Sequence, residues 1–166
     1  IAFIMEDPEI YCESCGHALV LMEIEGVSRP SCVSCGHVKY YDPKVVVVVV
    51  LEVDGKILMV KRAIPPRVGF WSIPGGYVDS GEIIENAGIR EISEETMLGI
   101  EISGLIGVFS EENHPVVVIA YRGLINTGYP KPGPEVLEVD FFSMDGLPPL
   151  AFDRDRLILE TWELSN

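Results

Sequence analysis

The sequence predicts a mixed α/β domain preceded by a small metal-stapled ribbon, and three observations predict it. Four cysteines stand as two matched pairs before residue 38, in CESCGH and CVSCGH. An almost unbroken β-branched run, VVVVVVLEV, begins at Val45. A strongly acidic segment of helical spacing, REISEE at residues 90–95, sits between stretches patterned as strands.

The first element is the ribbon, residues 1–38. Cys12, Cys15, Cys32 and Cys35 read C-x2-C-x16-C-x2-C, inside the spacing of a four-thiolate zinc site. Each pair is followed by Gly, as a tight turn that aims two sulfurs at one ion requires. So short a segment cannot hold a fold by burial alone, which makes a metal its natural staple. The competing reading is two disulfides, and it needs an oxidising compartment that nothing in the sequence suggests. His17 and His37 follow the pairs, but four thiolates already complete a tetrahedral site, so both are read as turn residues.

YYDPK, residues 40–44, carries a proline and marks the join to the second domain, residues 39–166. There VVVVVVLEV suits a central strand buried on both faces. Asp54-Gly55 is a tight-turn dipeptide, and KILMVKRA resumes the strand pattern, giving a hairpin. Glu101–Phe109, Val116–Ile125 and Val136–Ser143 read as further strands. Arg154–Leu164 carries Leu157, Ile158, Leu159 and Trp162 and reads as a C-terminal helix.

Composition bounds the function. The chain of 166 residues is 48% apolar, enough to fill a core, and its net charge is −14. That charge argues against sequence-independent nucleic-acid binding, which needs clustered Lys and Arg, and against docking on an anionic membrane. An anionic substrate would need metal ions to mediate its contact with so acidic a protein. The longest apolar run, Val45–Leu51, is far shorter than the about 20 residues of a spanning helix. The opening IAFIMEDPEIY has no basic start and is not read as a secretory signal; with Ile1 first, either Met5 is the true start or residues precede Ile1. A cytoplasmic protein is the expectation.

Glu91, Glu94 and Glu95 share one side of their helix, where like charges cost roughly 0.2–0.5 kcal/mol per pair. The preceding WSIPGGYVDSGE is rich in glycine, with Pro74, Gly75, Gly76 and Gly81 set against regular structure and open to close approach by a ligand. Asp79 or Ser80 is placed to cap the helix, and Asp79 with Glu82 has capping-box spacing. Ala87 and Gly88 project near the acidic face on a helical wheel, leaving room over it. Arg90 offers a guanidinium to hold a neighbouring carboxylate. A solvated acidic face is the bland alternative, but it needs neither the glycine loop nor this spacing. Clustered hard oxygen ligands are what Mg²⁺ or Mn²⁺ requires.

Residues 76–98, GYVDSGEIIENAGIREISEETML, resemble the Nudix box G-x5-E-x7-R-E-U-x-E-E-x-G-U, where U is apolar. Gly76, Glu82, Arg90, Glu91, Ile92, Glu94, Glu95 and Leu98 match. Met97 stands where the box has glycine, and the helix is expected to run on to Gly99. With the ribbon, KRAIPPRVGF and the late PGPEVLEVDFF and LAF, the chain is similar to the zinc-ribbon Nudix hydrolases, a group that includes plant-type FAD and ADP-ribose pyrophosphatases. The resemblance implies an α/β/α sandwich that hydrolyses a nucleoside diphosphate linked to another group, and relatives are frequently homodimers.

Carried over by position, Glu91, Glu94 and Glu95 with the Gly76 carbonyl would hold the catalytic cations. Glu82 would support the site and Arg90 would orient the glutamates. A further ligand or base is expected outside the box: Glu135 is preferred as ligand, Glu111 and Glu112 are alternatives, and the base stays open. Phe70 and Trp71 are candidates for stacking on an adenine or flavin ring, against a core role that the neighbouring Pro74 and strand favour. The SQPWPFP-type stretch of the NADH pyrophosphatases is absent, so NADH is not the first choice of substrate. The rival class is a non-catalytic nucleotide sensor whose ribbon contacts a partner; it would usually lack box acids, and none is lost here. An RNA-cap hydrolase or a nucleic-acid-binding ribbon is disfavoured by charge, with a single Arg and no Lys over residues 8–38.

Overall fold

The computed structural model describes residues 10–165; the proposed start at Met5 and the first nine residues of the predicted ribbon lie outside them. The chain divides into two compact units between Pro43 and Lys44, within the YYDPK stretch.

In the first unit, strands β1 (Val20–Ile24) and β2 (Val27–Ser31) form an antiparallel hairpin. Its turn places Glu25 and Gly26 at positive φ, 52° and 77°, the conformation a two-residue hairpin loop selects. The two cysteine pairs occupy matching turns. The N–H of Cys12 donates to the His17 carbonyl and that of Gly16 to the Cys12 carbonyl. Cys32, His37 and Gly36 repeat the pattern with bonds of 2.8 and 2.9 Å. His17 and His37 therefore act through their backbones, as turn residues.

The second unit is built on β3 (Lys44–Val53), the predicted central strand. It pairs in parallel with β8 (Val116–Thr127), which pairs antiparallel with β7 (Gly99–Ser110). At its far end β3 turns through Asp54-Gly55 into β4 (Lys56–Arg62), which carries β5 (Trp71–Ser72) and β9 (Val136–Phe142) on its edges. Val47 to Leu51 are 0–6% exposed, so both faces of β3 are covered. Alternation sorts them. Val48 and Val50 face a core shared with Ile158, Leu159 and Trp162 of helix α2 (Asp153–Leu164). Val49 and Leu51 face a second core with Ile92 of helix α1 (Ile84–Thr96). This is an α/β/α sandwich. Among the described residues no helix is long and apolar enough to cross a membrane.

Four local expectations are corrected. Gly75–Tyr77 is not irregular but a short strand, β6, antiparallel to β3. A side chain on Gly75 would run into the Val47 carbonyl and the Val48 backbone, so glycine is what permits the pairing. Helix α1 has Ile83 as its N-cap with no side-chain bond. Asp79 instead donates its N–H to Glu82 at 3.0 Å, and the Glu82 N–H bonds the Asp79 carbonyl, a turn ahead of the helix. Nor does α1 reach Gly99. Met97 adopts the left-handed conformation, φ 59°, and ends it; Gly99 opens β7.

Ala87 and Gly88 are likewise on the buried side. Gly88 packs against the Val47 and Val49 methyls, so these small residues bring the helix close to the sheet rather than making room over the acidic face.

Candidate active site

Local structure delivers each carboxylate. β6 carries the Gly75–Gly76 backbone to the flank of α1, and the Gly75 N–H donates to Glu95 Oε2 at 2.9 Å. Gly76 lies so close to Glu91 that any Cβ there would collide with its carboxylate. The segment 128–135, GYPKPGPE, folds over the end of α1. The Lys131 N–H caps the Thr96 carbonyl and the Gly133 N–H caps the Glu95 carbonyl, each at 2.9 Å, satisfying orphan acceptors of the last turn. The capping segment ends on Glu135, so the loop that closes the helix also sets the fourth carboxylate beside it.

Glu91, Glu95 and Glu135 thereby line one cavity of about 240 Å³, together with Gly75, Gly76 and Arg62. Burial pushes the Glu95 carboxyl up to about 8; the Gly75 N–H pulls against it, and the charges of Glu91 and Glu135 add to the rise. Burial raises Glu91 too, with Arg90 opposing. Arg90 Nε and Nη2 both reach Glu82, at 2.9 Å, Nη1 donates to Glu91 at 2.8 Å and to Glu94 at 3.3 Å, and Nη2 also meets the Tyr77 carbonyl. This grip holds Glu82 down to about 2.

The donor set fits a hard divalent cation: several carboxylates and a backbone, with repulsion among the acids that a cation would offset. The four cysteines fit a soft one. Their ligand sulfurs all lie within 4.8 Å of one another, and none is in a disulfide. Cys32 is lowered to about 7, chiefly by the Cys35 backbone N–H, while Cys15, against the pull of the His17 backbone, is raised to about 12 by the neighbouring sulfurs of Cys32 and Cys35, so the metal-free sulfurs share protons that a bound cation would displace.

The predicted residues separate as follows. Glu82, Arg90, Glu91, Glu95, Gly76 and Glu135 come together. Glu94 reaches the group through Arg90, with 59% of its side chain exposed. Glu111 and Glu112 are exposed residues beyond the end of β7 and do not line this cavity. Trp71 is buried in the core, its ring edge-on to Phe142 at 4.8 Å. Phe70 lies outside the cavity walls, its ring 5.9 Å from the Arg67 guanidinium.

Two residues escaped the sequence reading. Arg62 ends β4 and lines both this cavity and a second one of about 390 Å³ that adjoins it through Ile64 and Gly75–Tyr77. A basic residue closing an apolar strand was its only signal. Asp155, in the first turn of α2, is 3% exposed in that second cavity, and burial raises its carboxyl to about 7. In sequence it is one charge among the alternating Asp and Arg of DRDR.

A sandwich with a glycine strand, an acidic helix and a converging loop glutamate defines a class of diphosphate-cleaving enzymes, and the comparisons agree. The chain belongs to the NUDIX family: the family model described as NUDIX domain matches residues 41–161. It is 36% identical over 132 residues to an ADP-ribose pyrophosphatase of Methanocaldococcus jannaschii, covering 76% of this chain and 78% of that one. It is 26% identical to the NAD-capped RNA hydrolase NudC of Pseudomonas aeruginosa over 87% of this chain, and spans about half (51%) of that protein. A NUDIX hydrolase from Nitrosomonas europaea superposes with a TM-score of 0.82 at 32% identity, covering 90% of this chain and 88% of that one. The protein is a NUDIX hydrolase, an enzyme of the pyrophosphatase type.

Proposed function

We propose that this enzyme hydrolyses the diphosphate linkage of ADP-ribose or FAD, giving AMP and ribose 5-phosphate or FMN. One observation carries the reading: Glu91, Glu95 and Glu135 line a single cavity with the Gly75–Gly76 backbone. The similarity to an ADP-ribose pyrophosphatase over three-quarters of the chain supports the choice of substrate.

Glu91, Glu94, Glu95, Glu135 and the Gly76 carbonyl would hold Mg²⁺ or Mn²⁺. A cation bound there would neutralise the diphosphate and lower the pKa of a water. The chain's own residues do the rest. Arg90 fixes Glu91 and Glu94 on one side and is itself anchored by Glu82, so the carboxylates are placed before substrate arrives. Gly75 orients Glu95. A nearby glutamate takes the proton of the attacking water. Water adds at phosphorus and the bridging oxygen leaves with the other phosphate. Cys12, Cys15, Cys32 and Cys35 would hold a structural zinc in the ribbon, residues 1–38, apart from the catalytic domain at 39–166. Free cysteines suit a cytoplasmic setting, and a homodimer is the assembly we assign.

The test is a hydrolysis panel of ADP-ribose, FAD, NADH and diadenosine polyphosphates with Mg²⁺ and Mn²⁺. Metal-dependent release of AMP from ADP-ribose or FAD is expected. Tight binding of one of these without turnover would replace hydrolysis by the sensor reading.

A further inference from the structure

Tyr77 ends β6 where the two cavities meet, and it lines both. Strand pairing fixes where its side chain stands. Gly76, opposite Val47 in the β3–β6 ladder, faces α1, where a side chain would meet Glu91. Successive strand residues face opposite ways, so the Tyr77 side chain is on the other face of the sheet. It lies opposite Val46, and residues directly opposed in an antiparallel pair share a face. Val46 and Val48, on that face, line the second cavity. The Lys44 ammonium, from the same face of β3, sits 5.3 Å from the Tyr77 ring centroid, in agreement with that direction.

The residue is held but not covered. Arg90 Nη2 donates to the Tyr77 carbonyl at 3.1 Å, and the next residue's N–H, that of Val78, donates to the Val45 carbonyl at 3.0 Å. Yet Tyr77 is 54% exposed. A lone aromatic on a surface is ordinary, but this one is fixed beside the carboxylates. The second cavity, about 390 Å³, is within the range of small-molecule sites, and the apolar Ile64, Pro65 and Phe152 are among its walls. A diphosphate placed at the glutamates would carry its attached group past the Tyr77 ring. A planar base gains most there, because stacking sets one π-face against another; a sugar phosphate has no π-face to offer.

We infer that the Tyr77 ring is the platform on which the substrate's nucleobase stacks, so that the nucleoside half of the diphosphate lies toward the second cavity. This rests on the reading of the site as one for nucleoside diphosphate derivatives, and deepens it.

Tyr77→Ala tests it, because the variant loses the ring and keeps the carbonyl that Arg90 holds. Tyr77→Phe keeps the ring without its hydroxyl. Tyr77→Leu keeps apolar bulk in the strand without a π-face, and serves in place of the Ala protein should that fold poorly. Binding of AMP and of ribose 5-phosphate in the presence of Mg²⁺ is measured calorimetrically for the parent and the variants, with melting temperatures as a control for folding. The parent is expected to bind AMP more tightly than ribose 5-phosphate. AMP affinity should fall by about tenfold or more in the Ala and Leu proteins and persist in the Phe protein, while ribose 5-phosphate binds all four alike. AMP affinity that ignores the loss of the ring, equal losses for both ligands, or no AMP binding by the parent overturns the platform; a purely structural Tyr77 would lower the melting temperature and weaken both ligands together. Hydrolysis of ADP-ribose by the parent is followed separately. If it fails while AMP affinity follows the ring, the catalytic reading falls and the platform stands; if it proceeds while AMP affinity ignores the ring, the platform alone falls.

Discussion

Arg90 and Glu82 are joined by two hydrogen bonds of 2.9 Å, Nε to Oε1 and Nη2 to Oε2. The pair links the loop before α1 to the second turn of the helix. Because the remaining guanidinium nitrogen reaches Glu91 and Glu94, Glu82 positions the acidic face without belonging to it.

Arg90→Ala should raise the Mg²⁺ concentration needed for half-maximal activity and lower kcat/KM by at least about tenfold, some 1.4 kcal/mol. Arg90→Lys should not restore it, since an ammonium cannot bridge a carboxylate in a fork while reaching two others. Metal titrations of both variants check this, and full activity in the Lys protein would contradict the role of the fork.

Met97→Gly should stabilise the protein by about 1 kcal/mol, the cost a side chain bears in the left-handed region. Met97 is 47% exposed, so little packing is lost. Denaturant unfolding reads the change directly, and a loss of stability would show that Met97 contributes packing that outweighs its backbone cost.

The strands, the hairpin turn and the terminal helix were readable in the sequence because periodicity and turn chemistry act locally. So was the box, because its spacing places acids by helical geometry alone. Other features depend on neighbours far along the chain. Gly75 looks like a loop glycine until β3 lies against it. Gly88 looks like a gap on a polar face until the Val47 and Val49 methyls are seen beneath it. Glu135 could be proposed only by resemblance, since the Gly133 bond that brings it to α1 joins residues that nothing local connects. Asp155 was invisible, because its chemistry comes from burial.

The pH dependence of stability has a definite sign. Glu95 moves from 4.5 to about 8 in the folded, metal-free protein, so the folded state holds a proton that the unfolded chain has lost in that window. Its stabilising contribution is complete below 4.5 and is lost as the pH rises through about 8. Asp155, raised from 3.8 to about 7, acts in the same direction. The melting temperature of the metal-free protein should therefore fall across this window, less steeply in Glu95→Gln. Mg²⁺ should flatten the slope by displacing the Glu95 proton, which calorimetry in buffers of different ionisation heat would detect.

Cys32→Ser should release the zinc and unfold the ribbon while leaving the melting of the NUDIX domain unchanged. Apparent zinc binding of on the order of 10–16 kcal/mol can account for the folding of so short a segment. Elemental analysis should find one zinc per chain in the parent, and cysteines recovered as oxidised pairs without zinc would contradict the ribbon.

The most direct measurement is turnover of ADP-ribose and FAD by Glu95→Gln at saturating Mg²⁺. The substitution keeps the side chain's size and the Gly75 N–H bond while removing one negative charge from the cavity. Hydrolysis should fall by at least about 100-fold, roughly 2.7 kcal/mol in the barrier, with the fold retained and the metal-free protein no less stable. Turnover equal to that of the parent would contradict the role of this helix in holding the metal.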